Sequence, residues 1–120
     1  MLVIHFKRFK HIGGEEYDKL EDDVELANTV DLELMFNEED KKNYRGQTKY
    51  DLNSIVQHYG TTLDGHYIAD VKQTIEVTVD KEKGKVPKNQ WFMFNDEIVQ
   101  RTKVNAYSST SYMLFFLRQT

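Results

Sequence analysis

Hydrophobic and polar positions alternate over much of the chain with a period of two, the mark of strands that turn one face to a core. At the start, Leu2, Ile4, Phe6 and Arg8 fall on one side, and Val3, His5, Lys7 and Phe9 on the other, which predicts one strand over Leu2–Phe9. Tyr50, Leu52, Ile55 and Val56 predict a second strand, and Tyr67, Ile68, Ala69, Val71, Ile75, Val77 and Val79 a long third one. β-Branched and aromatic side chains fit a pleated, half-buried surface. Trp91–Phe94 reads as a short aromatic strand, Glu97–Gln100 resumes one, and Ser111–Leu117 closes the chain with a buried one.

Between these runs lie turn signals. Lys10–Asp23 holds Gly13-Gly14 and mixed, mainly acidic charge, and reads as a loop. Val24–Met35 returns to apolar spacing through Val24, Leu26, Val30, Leu32 and Leu34. Asn37–Thr48 is polar and reads as a surface loop or a frayed helical turn. Gly60 and Gly65 bracket a four-residue loop. Asp80–Gln90 reads as a turn in which Lys83-Gly84 and Val86-Pro87 break regular structure, and Thr102–Ser109 as one helical turn around Val104 and Ala106. The pattern predicts an α+β fold dominated by an antiparallel sheet of about five or six strands, with little helix.

Composition narrows the function classes. The 120 residues allow one domain, and seven Phe, seven Tyr and one Trp supply bulky core members. A net charge of −4 argues against a sequence-independent nucleic-acid binder, which needs clustered Lys and Arg. No apolar run approaches the ~20 residues of a membrane-spanning helix, and no signal peptide is visible. Cysteine is absent, which excludes disulfides, thiolate metal sites and a cysteine nucleophile within these residues, and suits an intracellular protein of cytoplasm or nucleus.

The candidate chemistry sits at His66, one residue after Gly65, at a strand start beside a loop. A strand would hold the ring while the loop leaves it reachable. Taken alone, the stretch favours an ordinary strand-end histidine, packed or hydrogen-bonded. His58, Asp64 and His66 form a metal set only on paper, since paired His ligands come with tighter spacing and a third ligand; no metal and no cofactor is expected.

Four ordered blocks change that balance: Leu-Val-Ile-His-Phe-Lys-Arg-Phe at 2–9, the run from His58 to Ala69, Trp-Phe-Met-Phe-Asn-Asp at 91–96, and Tyr-Met-Leu-Phe-Phe-Leu-Arg at 112–118. Together they resemble the C-terminal part of the ubiquitin-specific proteases, papain-like cysteine deubiquitinases. The resemblance implies the His-bearing lobe of a papain-like fold over residues 1–120, with the Cys-bearing N-terminal lobe absent. It implies His66 as the base, Asn95 as the group that orients the ring, and Asp96 as a nearby source of negative charge. Peptide or isopeptide hydrolysis of this class needs a thiolate, an imidazole and an orienting group.

The resemblance further implies a narrow channel for ubiquitin's diglycine tail, with Gly60, Asp64, Gly65 and Tyr67 as substrate-binding residues. A first tail-flanking loop would lie within Lys10–Asp23. Glu15, Glu16, Asp22, Asp23 and Asp64 would then face a basic tail. His66 and Asn95 should lie within hydrogen-bond reach, with Tyr67–Val79 and Trp91–Phe94 as antiparallel neighbours. The expected partners are ubiquitin or a ubiquitinated protein, and a chain that supplies the Cys lobe. Two readings follow: part of a thiol-dependent deubiquitinase, inactive alone, or a non-catalytic ubiquitin- or protein-binding module built on the same fold. Leu2, Ile4 and Phe6 with Met113, Phe115 and Leu117 carry more apolar surface than a thin sheet needs, so the fragment reading expects a contiguous apolar patch or self-association.

Overall fold

A computed structural model describes residues 1–120. The strands are β1 (Leu2–His5), β2 (Phe9–Gly13), β3 (Glu16–Lys19), β4 (Val24–Glu25), β5 (Thr29–Asp31), β6 (Lys49–Gly60), β7 (Gly65–Asp80), β8 (Gly84–Asn95), β9 (Ile98–Thr102), β10 (Tyr107–Ser108) and β11 (Ser111–Arg118). A 3₁₀ turn (Leu32–Met35) and one short helix, α1 (Glu38–Asn43), lie between β5 and β6. Asn37 and Asp40 close a capping box on α1, which lets six polar residues hold a helical turn. None of the helices is long and apolar enough to cross a membrane.

The main sheet is antiparallel, in the order β1-β11-β6-β7-β8-β9, with β5 added beside β6. The seventh strand has a simple cause. β7 joins β6 only from Ser54 onward, so the first residues of β6 have a vacant side, and Thr29–Asp31 pairs there with Lys49–Asp51. β2 and β3 form a separate hairpin, and β4 pairs β10.

Four local expectations are corrected. Lys10–Asp23 is not a loop throughout: it carries most of the β2–β3 hairpin, with its turn at Gly14-Glu15. Leu2–Phe9 is not one strand: β1 ends at His5 and Phe9 opens β2, because the chain turns at Arg8 to carry its side chain inward. Asp80–Gln90 is not a break: only Lys81–Lys83 turns, and β8 begins at Gly84, which adopts φ 64°. Pro87 is accommodated because β9 pairs β8 only from Trp91 onward, leaving a free edge beside the proline. Thr102–Ser109 forms no helix; it crosses back over the sheet and ends in β10.

Leu52, Ile55, Leu114 and Phe116 are buried on one sheet face, where Leu26 completes the core with Val24, Val30 and Val104 packed against it. The other face is bare. The register aligns Val3, Phe115, Ser54, Val71 and Phe92 in one row, and His5, Met113, Val56, Ala69, Phe94 and Val99 in the next. None of these is buried, and Val3 and Val99 are 44% and 53% exposed. The molecule is accordingly a slab, 65 × 47 × 20 Å, with 9087 Å² of accessible surface. A compact chain of this mass exposes about 6,800 Å². Its radius of gyration is 18.3 Å, against about 13.6 Å for a compact domain.

Arg8 is only 3% exposed, and its guanidinium has no carboxylate partner. It donates instead to the carbonyls of Ser111 (2.6 Å), Leu20 (3.0 Å), Asp22 (3.0 Å) and Ser108 (3.2 Å). One side chain thus ties the end of β1 to the strands and loops that cover the core. Arg8→Met is expected to lower the unfolding free energy by at least about 3 kcal/mol in urea denaturation, since each charge-assisted hydrogen bond contributes about 1.5–3 kcal/mol and the carbonyls left behind are buried. The exposed neighbour Lys7→Met should change it by less than about 0.5 kcal/mol. Equal midpoints for the two variants would contradict this role.

Candidate functional site

The β6–β7 hairpin sets the site. Its register pairs His58 with Tyr67, Tyr59 with His66 and Gly60 with Gly65. Thr61 holds the connecting loop: its hydroxyl accepts from the main-chain N–H of Leu63 (3.3 Å) and Asp64 (3.0 Å). Gly60 sits at φ 94°, and a Cβ there would lie 2.3 Å from the Asp64 carbonyl oxygen, so the turn requires glycine. Strand alternation then sends His66 to the covered face of the sheet and His58 and Tyr67 to the opposite one.

β7 and β8 pair with Ala69 opposite Phe94, which brings the end of β8 alongside the start of β7. His66 Nε2 lies 2.7 Å from Asn95 Oδ1. The next residue, Asp96, has φ 51° in the two-residue turn before β9, and its Oδ2 is 3.9 Å from the same nitrogen. With the Asn95 carbonyl accepting, Nε2 carries the proton and Nδ1 keeps the lone pair. The imidazole side chain is 48% exposed, so Nδ1 belongs to a reachable ring. The arrangement is an oriented base with a carboxylate nearby.

On the opposite face a groove of about 370 Å³ is lined by Phe9, Tyr17, His58, Thr62, Gly65 and Tyr67. His58 is 3% exposed and stands edge-on to Phe9 (5.2 Å between centroids) and to Tyr67 (4.9 Å). Burial, and secondarily the nearby Lys19 ammonium, hold its pKa below the ordinary imidazole value, so the ring stays neutral at physiological pH. Lys19 Nζ donates to the carbonyls of Gly60 (2.8 Å) and His58 (3.2 Å), fastening the β2–β3 hairpin to the β6–β7 loop. A Cβ on Gly65 would lie 2.0 Å from His58 Nε2, so the ring packs directly on the Gly65 backbone.

Of the residues singled out from the sequence, His66, Asn95 and Asp96 come together, Gly60 and Gly65 face each other across the hairpin, Asp64 ends the loop between them, and Tyr67 lines the groove. Glu15, Glu16, Asp22 and Asp64 are exposed; Asp23, also exposed, borders a cavity on the covered face rather than the groove. Phe9, Tyr17 and Lys19 were not foreseen as site residues. The alternation of Leu2–Phe9 carried a signal for Phe9, which it puts opposite Arg8. Tyr17 and Lys19 lie within Lys10–Asp23, where the resemblance implied a tail-flanking loop, though nothing singled out either residue.

Residues 1–116 match the family model described as ubiquitin carboxyl-terminal hydrolase. The chain belongs to that family. Ubiquitin carboxyl-terminal hydrolase 8 of Saccharomyces cerevisiae is 30% identical over 97% of this chain and 23% of its own length. Ubiquitin carboxyl-terminal hydrolase 15 of Homo sapiens is 32% identical over 99% of this chain and 11% of its own length. Among solved structures, the SAGA Ubp8/Sgf11/Sus1/Sgf73 DUB module bound to ubiquitin aldehyde contains a chain 31% identical, with a TM-score of 0.70 over 98% of this chain and 24% of that one. The chain therefore spans less than a quarter of the length of these hydrolases. Its mainly antiparallel sheet is the fold shared with these hydrolase structures.

The Gly65–His58 contact yields a prediction. Gly65→Ala should cost about 1–3 kcal/mol of stability, the usual penalty for overpacking. Placed in a His58→Ala background, where the opposing ring is gone, the same change should cost less than half as much. A penalty that is equal in both backgrounds in a double-mutant cycle by chemical denaturation would contradict the packing described.

Proposed function

We propose that this chain supplies the base and the orienting residue of a thiol-dependent deubiquitinase. His66 Nδ1 takes the proton of a cysteine thiol provided by residues outside these 120, in the same polypeptide or in a partner chain. Asn95 holds the ring through Nε2–H, and Asp96 favours the imidazolium that forms. The supporting observation is the 2.7 Å contact of His66 with Asn95 at the strand ends of a ubiquitin carboxyl-terminal hydrolase domain. An amide orients the ring without adding charge, and so stabilises the imidazolium less than a carboxylate in direct contact would.

The groove past Gly65 takes the C-terminal tail of ubiquitin. Gly65 and Tyr67 line that channel together with Phe9, Tyr17 and His58, while Gly60 and Asp64 shape the loop beside it. Glycine at 65 lets an extended diglycine approach the backbone. The bare face with Val56, Phe94, Met113 and Phe115 seats further chain from outside these residues, since burying each large apolar side chain contributes about 1.5–3 kcal/mol. The thiol itself meets His66 at the strand ends, on the side of the covered face.

The second reading, a ubiquitin- or protein-binding module without hydrolysis, rests on the absence of cysteine from the chain. One experiment separates the two. The 120-residue chain alone should not cleave a fluorogenic ubiquitin C-terminal amide. Exchanging it for the matching segment of the yeast ubiquitin carboxyl-terminal hydrolase 8 should give an active chimera. His66→Ala in that chimera should lower kcat by at least about 10²–10⁴-fold with little change in ubiquitin binding. A chimera that binds ubiquitin but does not turn over, or one indifferent to His66→Ala, contradicts the catalytic reading.

A further inference from the structure

Four residues beyond His66 on the same strand face stands Asp70, about 13 Å away along β7 at the usual rise per residue. It is 4% exposed. One of its oxygens, Oδ2, accepts from Gln57 Nε2. Gln57 is itself fixed, because its Oε1 accepts from Thr110 Oγ1 (2.6 Å) and from the Tyr59 hydroxyl (3.0 Å). The other oxygen, Oδ1, has no donor at all. Burial pushes the Asp70 carboxyl above the ordinary carboxylate range, with the Gln57 hydrogen bond opposing it. A buried carboxylate with a bare oxygen is unfavourable, and a polar core position is tolerated only when its hydrogen-bonding capacity is met.

Asp70 lines a cavity of about 310 Å³ between the covered sheet face and the 102–110 crossing segment. Its other polar lining includes Thr102, Asn105, Ser109 and Thr110. The charged groups that border it are Asp23, Asp70 and Lys103, and Lys103 makes no ion pair with either carboxylate. Two carboxylates without a third acidic or histidine ligand do not make a metal site, and no such cluster is present.

We propose that this cavity binds a cationic side chain of a protein partner, best an arginine, whose guanidinium donates to Asp70 Oδ1 while its remaining N–H groups meet the hydroxyl and amide lining. The guanidinium supplies several donors in one plane, which suits a small polar cavity with one unpaired carboxylate. The site is independent of the thiol chemistry above. It makes Asp70, with Gln57 as the residue that positions it, a specificity determinant for a basic residue approaching from the His66 face.

The probe is N-acetyl-arginine N-methylamide, titrated into the ¹⁵N-labelled 120-residue chain and followed by amide chemical shifts. Saturable shifts are expected at the Gln57 side-chain amide and at Asn105 and Thr110, and none with N-acetyl-leucine N-methylamide. Asp70→Asn keeps the shape and removes the charge, so it should fold at least as stably and weaken binding by about tenfold or more. Lys103→Met removes the only cation that borders the cavity and should leave binding unchanged or tighter. A dispersed spectrum with no saturable response, or equal affinity in Asp70→Asn, overturns the proposal. So does an upward move of the Asp70 titration on Lys103→Met, which would assign the cavity to an internal ion pair.

Discussion

Four main-chain carbonyls converge on the Arg8 guanidinium, and the covered face of the sheet depends on that convergence. The segments that shield Leu52, Ile55, Leu114 and Phe116 are short and irregular; β4 and β10 have two residues each. Such segments cannot satisfy their own carbonyls by ladder pairing alone. A single buried cation with five N–H donors gathers them at the corner between β1 and β2. Its charge is solvated by carbonyl dipoles rather than by a carboxylate, so no second charge has to be buried with it.

The same hairpin serves two chemistries because a strand has two faces. His66 points to the covered face and finds Asn95; His58, eight residues earlier on the partner strand, points to the bare face and packs among Phe9, Tyr67 and the Gly65 backbone. One imidazole is half-exposed and oriented through a nitrogen. The other is buried and kept neutral. Lys19 stiffens the connection between them by holding the carbonyls on either side of Tyr59. The His66 ring and the proposed tail groove are thus fixed relative to each other by main-chain register, with no hinge between.

Period-two patterning made the long strands legible: Tyr50–Val56, Tyr67–Val79 and Ser111–Leu117 all lie inside β6, β7 and β11. It also put Arg8 on the side of Leu2, Ile4 and Phe6, without showing that the side chain would be the more buried partner. What failed was set by contacts distant in sequence. Pro87 stays in a strand because of where β9 starts, and Val104–Ala106 cross the sheet instead of coiling because β4 offers a strand partner. At the site, the four blocks that resemble the ubiquitin-specific proteases carried the pair, and the β7–β8 pairing returns Asn95 to His66. The groove residues Phe9 and Tyr17 come from the separate β2–β3 hairpin, whose docking on His58 no local pattern encodes.

One ring is decisive: His66 held by Asn95 as the Nε2–H tautomer, with Nδ1 basic and free. The imidazole ¹⁵N resonances of selectively labelled His66 at neutral pH report this directly. A protonated Nε2 and a pyridine-like Nδ1 are expected, with that preference lost in Asn95→Ala. A ring that carries its proton on Nδ1, or averages between tautomers as a free histidine does and is indifferent to Asn95→Ala, would contradict it.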